Sequence, residues 1–221
     1  MTTNTNIIKQ NIVLPNEADE GKLAFVLLNV FTREECQEWI EISEQHGYSP
    51  ALINMGQQQV LRTDVRNNHR CMIDDVDMAN ILFNRIKAYL PNLWNNDHIV
   101  GLNERLRFLR YDPGQKFQPH FDGIFIRNDE SMERSYITIQ LYLNEGFEGG
   151  ATTFVHHTKS SQNVPCIPRT GMVLVFEHKL FHEGSALIKG RKYTVRTDVM
   201  YRPDKHNNSA QNDDDDDDDD N

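Results

Sequence analysis

The sequence predicts an α+β domain, mainly β, in the form of a small β-barrel or jelly roll buttressed by N-terminal helices. Three observations lead there. Helical apolar spacing is confined to about the first ninety residues. Beyond residue 100 the apolar residues alternate in short runs, cut by Gly/Pro/Asn turns. And His120-Phe121-Asp122 is followed, sixty residues after Asp122, by His182, a spacing that suits a barrel whose walls bring distant strands to one centre.

The elements follow in order. Residues 1–20 are polar and read as a flexible N-terminus, and Lys22–Val30 is apolar enough for a first strand. Thr32 and Glu35 form a capping-box signature, with Phe31 at the staple position before it. Cys36, Trp39 and Ile40 continue at helical spacing to a stop at Gly47. Asp74 or Asp75 caps a second helix whose apolar face uses Val76, Ala79, Leu82, Phe83, Ile86 and Leu90, and Pro91 ends it. Strands are predicted at Arg105–Phe108, Ser135–Asn144, Ala151–His156, Gly171–Glu177 and Lys192–Met200. Asp112-Pro113-Gly114, Glu148-Gly149-Gly150 and Arg169-Thr170-Gly171 serve as turns between them. No internal repeat is visible. The expected organisation is one domain over 21–203, its metal-site half at about 100–202, and a disordered acidic tail over 204–221.

Composition excludes several functions. The net charge is −10, of which Asp213–Asp220 contribute −8, leaving −2 on the rest. Such a body has no global basic signature for nucleic acid. Three cysteines, Cys36, Cys71 and Cys166, are far apart and odd in number, which argues for free thiols in a reducing compartment. The first ten residues have no apolar signal core, and no stretch approaches the roughly 20 apolar residues of a membrane span. The expectation is a cytoplasmic or nuclear protein, not secreted, with no membrane partner. Its oligomeric state is not legible.

In a strand, residues i and i+2 point the same way. His120 and Asp122 can therefore share one metal while Phe121 turns into the apolar layer behind. Two imidazoles and a carboxylate are the set that holds ferrous iron on one face and leaves other positions open. Lys192, ten residues after His182, can hold the free carboxylate of an oxo-acid on that iron. His178, four residues before His182, could imitate a helical zinc pair. A strand-like run, Val173–Phe176, leads into it instead, and it reads as structural. His156 and His157 are expected to face solvent at a strand end.

The run Leu106-Arg107-Phe108-Leu109-Arg110-Tyr111-Asp112-Pro113-Gly114-Gln115-Lys116-Phe117-Gln118-Pro119-His120-Phe121-Asp122 resembles the metal-site strand of the prolyl 4-hydroxylase-like 2-oxoglutarate/iron oxygenases. Tyr142-Leu143-Asn144, Glu148-Gly149-Gly150-Ala151-Thr152, Arg169-Thr170-Gly171 and His182-Glu183-Gly184 extend the likeness over about residues 60–202. The resemblance implies a double-stranded β-helix using Fe(II), with 2-oxoglutarate and O2 as co-substrates and ascorbate as a candidate accessory reductant. Carried over by position, it implies that His120, Asp122 and His182 bind iron. Lys192 would pair with the far carboxylate of 2-oxoglutarate, Tyr142 would hydrogen-bond that same carboxylate, and Tyr111 would stand beside iron and keto-acid. Hypoxia-sensing relatives place arginine nine residues after the distal histidine and collagen-type relatives place lysine at ten. This chain has both Arg191 and Lys192. Neighbours on a strand face opposite sides, and Tyr193 directly after the lysine resembles the collagen-type pattern, which selects Lys192. Arg196 and Asp198 share its face.

The substrate is less defined. Arg62, Arg66 and Arg70 lie in a polar segment where relatives begin a substrate-covering region, suited to a peptide backbone or an acidic group. Ile124–Arg127 could form a lip. The leading expectation is hydroxylation of a peptidyl proline with release of succinate and CO2. A free amino acid or other small molecule is the alternative, and nucleic acid is not the expected partner. A reading from another class is a non-enzymatic adaptor that keeps the barrel and binds basic partners through the Asp run. Deleting residues 204–221 separates the two: 2-oxoglutarate turnover should persist in the truncated chain, whereas an adaptor would lose salt-sensitive binding to a basic partner.

Overall fold

The computed structural model describes residues 6–56 and 58–204. Except for Asp204, the predicted acidic tail lies outside these residues.

The fold is a double-stranded β-helix, or jelly roll, backed by two helices. The larger sheet is antiparallel. Its order is Ile8–Asn11, Ala24–Leu28, Val173–Glu177, Arg134–Tyr142, Lys192–Arg202, Arg105–Tyr111, His69–Asp74 and Ser49–Pro50. Asp97–Leu102 joins the far end of Lys192–Arg202. The smaller sheet runs Phe117–His120, His182–Gly184, Thr152–Phe154 and Val164–Cys166.

The alternation read in the sequence divides the large sheet into two faces. Ile137, Ile139 and Leu141, with Val195, Val199, Leu106 and Phe108, are wholly buried in one apolar cluster that also takes in both helices. The residues between them, such as Thr138, Gln140, Tyr142, Lys192, Thr194 and Asp198, are the buried polar members of the same strands and face the small sheet. Tyr142, Leu174 and Phe176 of the large sheet meet Phe154 and Cys166 of the small one in a second cluster. Apolar burial thus closes the sandwich at one end, and polar residues face each other at the other.

Helix α1 (Arg33–His46) starts at Thr32 with both arms of the capping box formed. Glu35 also receives Arg85 from helix α2 (Val76–Ile86), whose guanidinium lies 4.2 Å from the Phe31 ring centroid. Gly171 is required where the α1 entry meets the sheet. It accepts the amides of Val30 and Phe31, and with φ +75 a Cβ there would stand 1.9 Å from the Phe31 carbonyl oxygen.

Three expectations are corrected. Val76 is 61% exposed while Met78 is buried. Capping by Asp75 sets Val76 at the first helical position, turned to solvent, and so rotates the buried stripe. Residues 8–11 are a paired edge strand rather than loose chain, and because all four side chains are exposed they give no alternation to read. Phe121 is 56% exposed, with its ring 4.9 Å from Phe181. The strand stops at His120, so alternation no longer dictates its direction. Cys36, Cys71 and Cys166 are all free and buried.

If these clusters hold the fold, Leu106→Ala should lower unfolding free energy by about 2–5 kcal/mol, against about 1 kcal/mol for Thr32→Ala. Denaturant midpoints measure both.

Candidate metal and oxo-acid site

His120 and His182 are direct cross-strand partners in the small sheet. They are neighbours rather than residues of opposite walls, and their rings lie 4.4 Å apart. Asp122 lies beyond the strand end. Its amide donates to the His178 carbonyl at 3.0 Å, which turns the carboxylate back toward the imidazoles. One Asp122 oxygen is 3.8 Å from His120 Nε2 and the other 3.8 Å from His182 Nε2. One ligand atom from each of the three lies within 4.8 Å of the others.

The three residues fit a divalent metal. Each histidine Nδ1 is within hydrogen-bond distance of a backbone carbonyl, Gln118 at 2.8 Å and Leu180 at 2.9 Å. Those bonds make Nδ1 the protonated nitrogen and leave the Nε2 lone pairs aimed at the common point. Burial, then His182, pull His120 down to about 3, and burial lowers His182 as well. Both rings are neutral and ready to ligate. Burial pushes the Asp122 carboxyl up, but the charge environment, led by the Arg196 guanidinium, outweighs it and holds the group well below the usual carboxylate range.

The large sheet supplies the clamp on Asp122. Thr138 donates its hydroxyl to one carboxylate oxygen at 2.5 Å, and Arg196 lies 3.0 Å from the other. Arg196 also reaches Asp198 at 3.1 Å, and Asp198 takes Arg107 at 2.9 Å. His178, 2% exposed, faces Asp198 at 3.4 Å. It is therefore part of the structure behind the triad, as the sequence reading had it.

The triad opens onto a cavity of about 60 Å³ lined also by Arg66, Arg107, Tyr111, Phe117, Gln140, Thr152, Glu183, Gly184, Lys192 and Arg196. A far larger hollow, about 1160 Å³, lies between residues 10–18 and the loop around 156–169 and includes none of the triad.

Lys192 is 2% exposed, and its ammonium donates to the Gly150 carbonyl at 2.6 Å. It stands 5.1 Å from the Tyr111 ring centroid and 5.5 Å from that of Tyr142. Gly150 has φ +66, and a Cβ there would stand 2.9 Å from Leu187 and 3.3 Å from the lysine stem, so this turn needs glycine. Among the described residues no carboxylate forms an ion pair with Lys192, and burial lowers its pKa to about 8. Arg191 points the other way, to Asp112 at 2.6 Å on the surface. The two neighbours thus face opposite sides, Lys192 lining the cavity and Arg191 lying outside it.

The remaining expected residues divide. Tyr111 lines the cavity. Tyr142 is fully buried behind the wall, where its hydroxyl donates to the Thr152 hydroxyl at 2.8 Å; Thr152 itself lines the cavity. Of the three arginines, only Arg66 reaches the cavity. Arg62 is exposed and paired with Asp64 at 2.7 Å, and Arg70 bonds to Gln59. Exposed Phe121, Ile124 and Ile126 occupy the lip segment. Sequence reasoning missed Thr138, Gln140 and Thr152. Their signal was present as polar residues on the inward-facing positions of otherwise apolar strands.

Comparison with known proteins agrees with this geometry. Residues 106–197 match the family model described as the 2OG-Fe(II) oxygenase superfamily. Probable prolyl 4-hydroxylase 11 of Arabidopsis thaliana is 26% identical over 155 residues, covering 66% of this chain and 49% of that protein. Probable prolyl 4-hydroxylase 3 of the same plant is 24% identical over 199 residues, 77% of this chain and 67% of that one. The chain thus spans about half the length of the first of these relatives. In fold it is similar to the viral collagen prolyl hydroxylase of Paramecium Bursaria Chlorella virus-1 in complex with 2OG (TM-score 0.58, 21% identity, 82% of this chain and 97% of that one). It is likewise similar to a Trichoplax adhaerens prolyl hydroxylase bound to a hypoxia inducible factor peptide fragment (TM-score 0.62, 15% identity, 82% and 85%). Over residues 106–197 the chain matches the 2OG-Fe(II) oxygenase superfamily, and it is similar in sequence to prolyl 4-hydroxylases. That family uses iron(II), 2-oxoglutarate and O2. No helix among the described residues is long and apolar enough to cross a membrane.

Two outcomes follow. Thr138→Val should keep the fold but weaken metal binding about 10- to 100-fold, measured by competition with a chelating dye. Because burial lowers Lys192 to about 8, its ammonium is present below that pH and lost above it. The affinity for 2-oxoglutarate should therefore fall as pH rises from 7 to 9, and Lys192→Met should remove that dependence. Calorimetric titration at each pH checks this.

Proposed function

We propose that the protein is an iron(II)- and 2-oxoglutarate-dependent dioxygenase that hydroxylates a peptidyl proline, with release of succinate and CO2. The observation that carries the reading is the convergence of His120, Asp122 and His182 in one cavity with a buried ammonium that has no carboxylate partner among the described residues. The prolyl hydroxylases among the relatives, one of them solved with a peptide, support proline as the target.

In this reading His120, Asp122 and His182 hold the iron. When bound with 2-oxoglutarate and O2, the metal supplies an oxidant able to replace a C–H hydrogen by hydroxyl while the keto-acid loses CO2. The chain's part is geometry and charge. Thr138 and Arg196 fix the Asp122 carboxylate so that it presents the same oxygen to each arriving metal. Lys192 receives the far carboxylate of 2-oxoglutarate by a charge-assisted bond, strong because the group is out of water. That contact regains the favourable energy that burial removed from the bare ammonium. Tyr142 sets its ring 5.5 Å from the lysine ammonium and donates its hydroxyl to Thr152, and Tyr111 closes the side of the cavity. Phe121 and Phe181, with rings 4.9 Å apart, offer an apolar face at the mouth for a substrate ring or chain.

Incubation with iron(II), 2-oxoglutarate, ascorbate and a proline-containing peptide library should yield peptides heavier by one oxygen, with the gain on proline and in step with succinate. Succinate with no oxidised proline in any peptide would leave the oxygenase reading and remove the prolyl one. No succinate above the Asp122→Ala background would remove both.

A further inference from the structure

The cavity holds a second cation, Arg66, without a carboxylate partner among the described residues. The segment that carries Arg66 is joined to the triad strand: Arg66 bridges to Phe117, the Gln118 amide donates to Val65 at 2.9 Å, and the Lys116 amide donates to the Asn67 side chain at 2.7 Å. The Arg66 guanidinium lies 4.5 Å from the Phe117 ring centroid, and Phe117 stacks on His120 at 3.6 Å. The guanidinium is thus held in a plane, one ring away from the triad. Its Nε donates to Asn68 at 2.7 Å. Its two Nη atoms have no protein acceptor among the described residues. The other guanidiniums of the cavity are neutralised: Arg107 by Asp198, and Arg196 by Asp122 and Asp198. Glu183, the remaining cavity carboxylate, accepts from Ser185 at 2.8 Å and forms no ion pair with Arg66. Burial pulls Arg66 down to about 10, a group kept charged against a cost. A half-buried guanidinium without an anion gains from a ligand that supplies one, and a guanidinium with a free edge matches a carboxylate with two parallel bonds.

If iron is held by the triad and 2-oxoglutarate by Lys192, the co-substrate's far carboxylate is already provided for. We infer that Arg66 is the subsite for a carboxylate of the substrate, so that this oxygenase selects a substrate carrying a carboxylate close to the carbon it hydroxylates. This rests on the oxygenase reading above. The carboxylate can belong to an acidic residue next to a peptidyl proline or be the α-carboxylate of a free amino acid.

The test uses the full chain loaded with manganese(II) and 2-oxoglutarate without oxygen, titrated calorimetrically with four probes: N-acetyl-Asp-Pro-amide, N-acetyl-Pro-Asp-amide, N-acetyl-Asn-Pro-amide and free proline. At least one acid-bearing probe should bind ten-fold or more tighter than the asparagine probe. Preference for an aspartyl dipeptide assigns the carboxylate to a neighbouring side chain, and preference for proline assigns it to a free amino acid. Arg66→Gln should abolish the preference and Arg66→Lys should restore part of it, while both variants bind 2-oxoglutarate as the native chain does. Equal binding of acidic and neutral probes would overturn the inference. So would an Arg66→Gln variant that loses 2-oxoglutarate, which would make Arg66 a co-substrate residue. A native chain that fails to bind 2-oxoglutarate at all would instead overturn the reading on which this one rests.

Discussion

The site depends on one register: His120 opposite His182 in the small sheet. Slip that pairing by one residue and one imidazole turns to the far face, because side chains alternate along a strand. Everything else at the centre adjusts to it. The backbone carbonyls of Gln118 and Leu180 fix which nitrogen of each ring is protonated. The His178 carbonyl turns Asp122 back beyond the strand end. From across the sandwich, Thr138 and Arg196 complete the clamp. The donor set is therefore assembled by both sheets, and the apolar contact between them at Phe154, Leu174 and Phe176 keeps the two halves at a fixed distance.

Electrostatics at the centre follows a single pattern. Buried carboxylates are neutralised by arginines, and burial holds His120 and His182 neutral. Two cations, Lys192 and Arg66, lack carboxylate partners among the described residues. A cavity of this kind lowers the free energy of anions that enter it and offers little to neutral molecules beyond the aromatic face at Phe121 and Phe181. Because the Lys192 ammonium is buried before any ligand arrives, much of the reorganisation that water would otherwise have to undergo around it is already complete.

Much of this was legible in the sequence, for identifiable physical reasons. The capping box at Thr32 and the β alternation through residues 135–142 and 192–200 are local patterns, and the corresponding elements formed. That only one of Arg191 and Lys192 enters the cavity followed from alternation, and the choice of Lys192 came from Tyr193 and the family resemblance. The fold class and the His/Asp/His convergence came from spacing together with family resemblance. What was not legible depended on tertiary context. Phe121 lies one residue beyond its strand, where period two no longer applies. Ile8–Asn11 is an exposed edge without apolar contrast. Of Arg62, Arg66 and Arg70, three equivalent residues in one polar segment, only the bridge to Phe117 brings one into the cavity. Tyr142 carries a family role by position, yet its hydroxyl is occupied by Thr152, a contact between two strands that no single-strand pattern encodes.

The central claim is that three side chains share one redox-active cation and leave it room for a keto-acid. Visible absorption during anaerobic titration of the chain with iron(II) and then 2-oxoglutarate tests it most directly. The account predicts that a metal-to-ligand charge-transfer band grows to one equivalent of iron per chain in the native protein and is absent in Asp122→Ala. No band in the native chain, or an undiminished band in the variant, would contradict it.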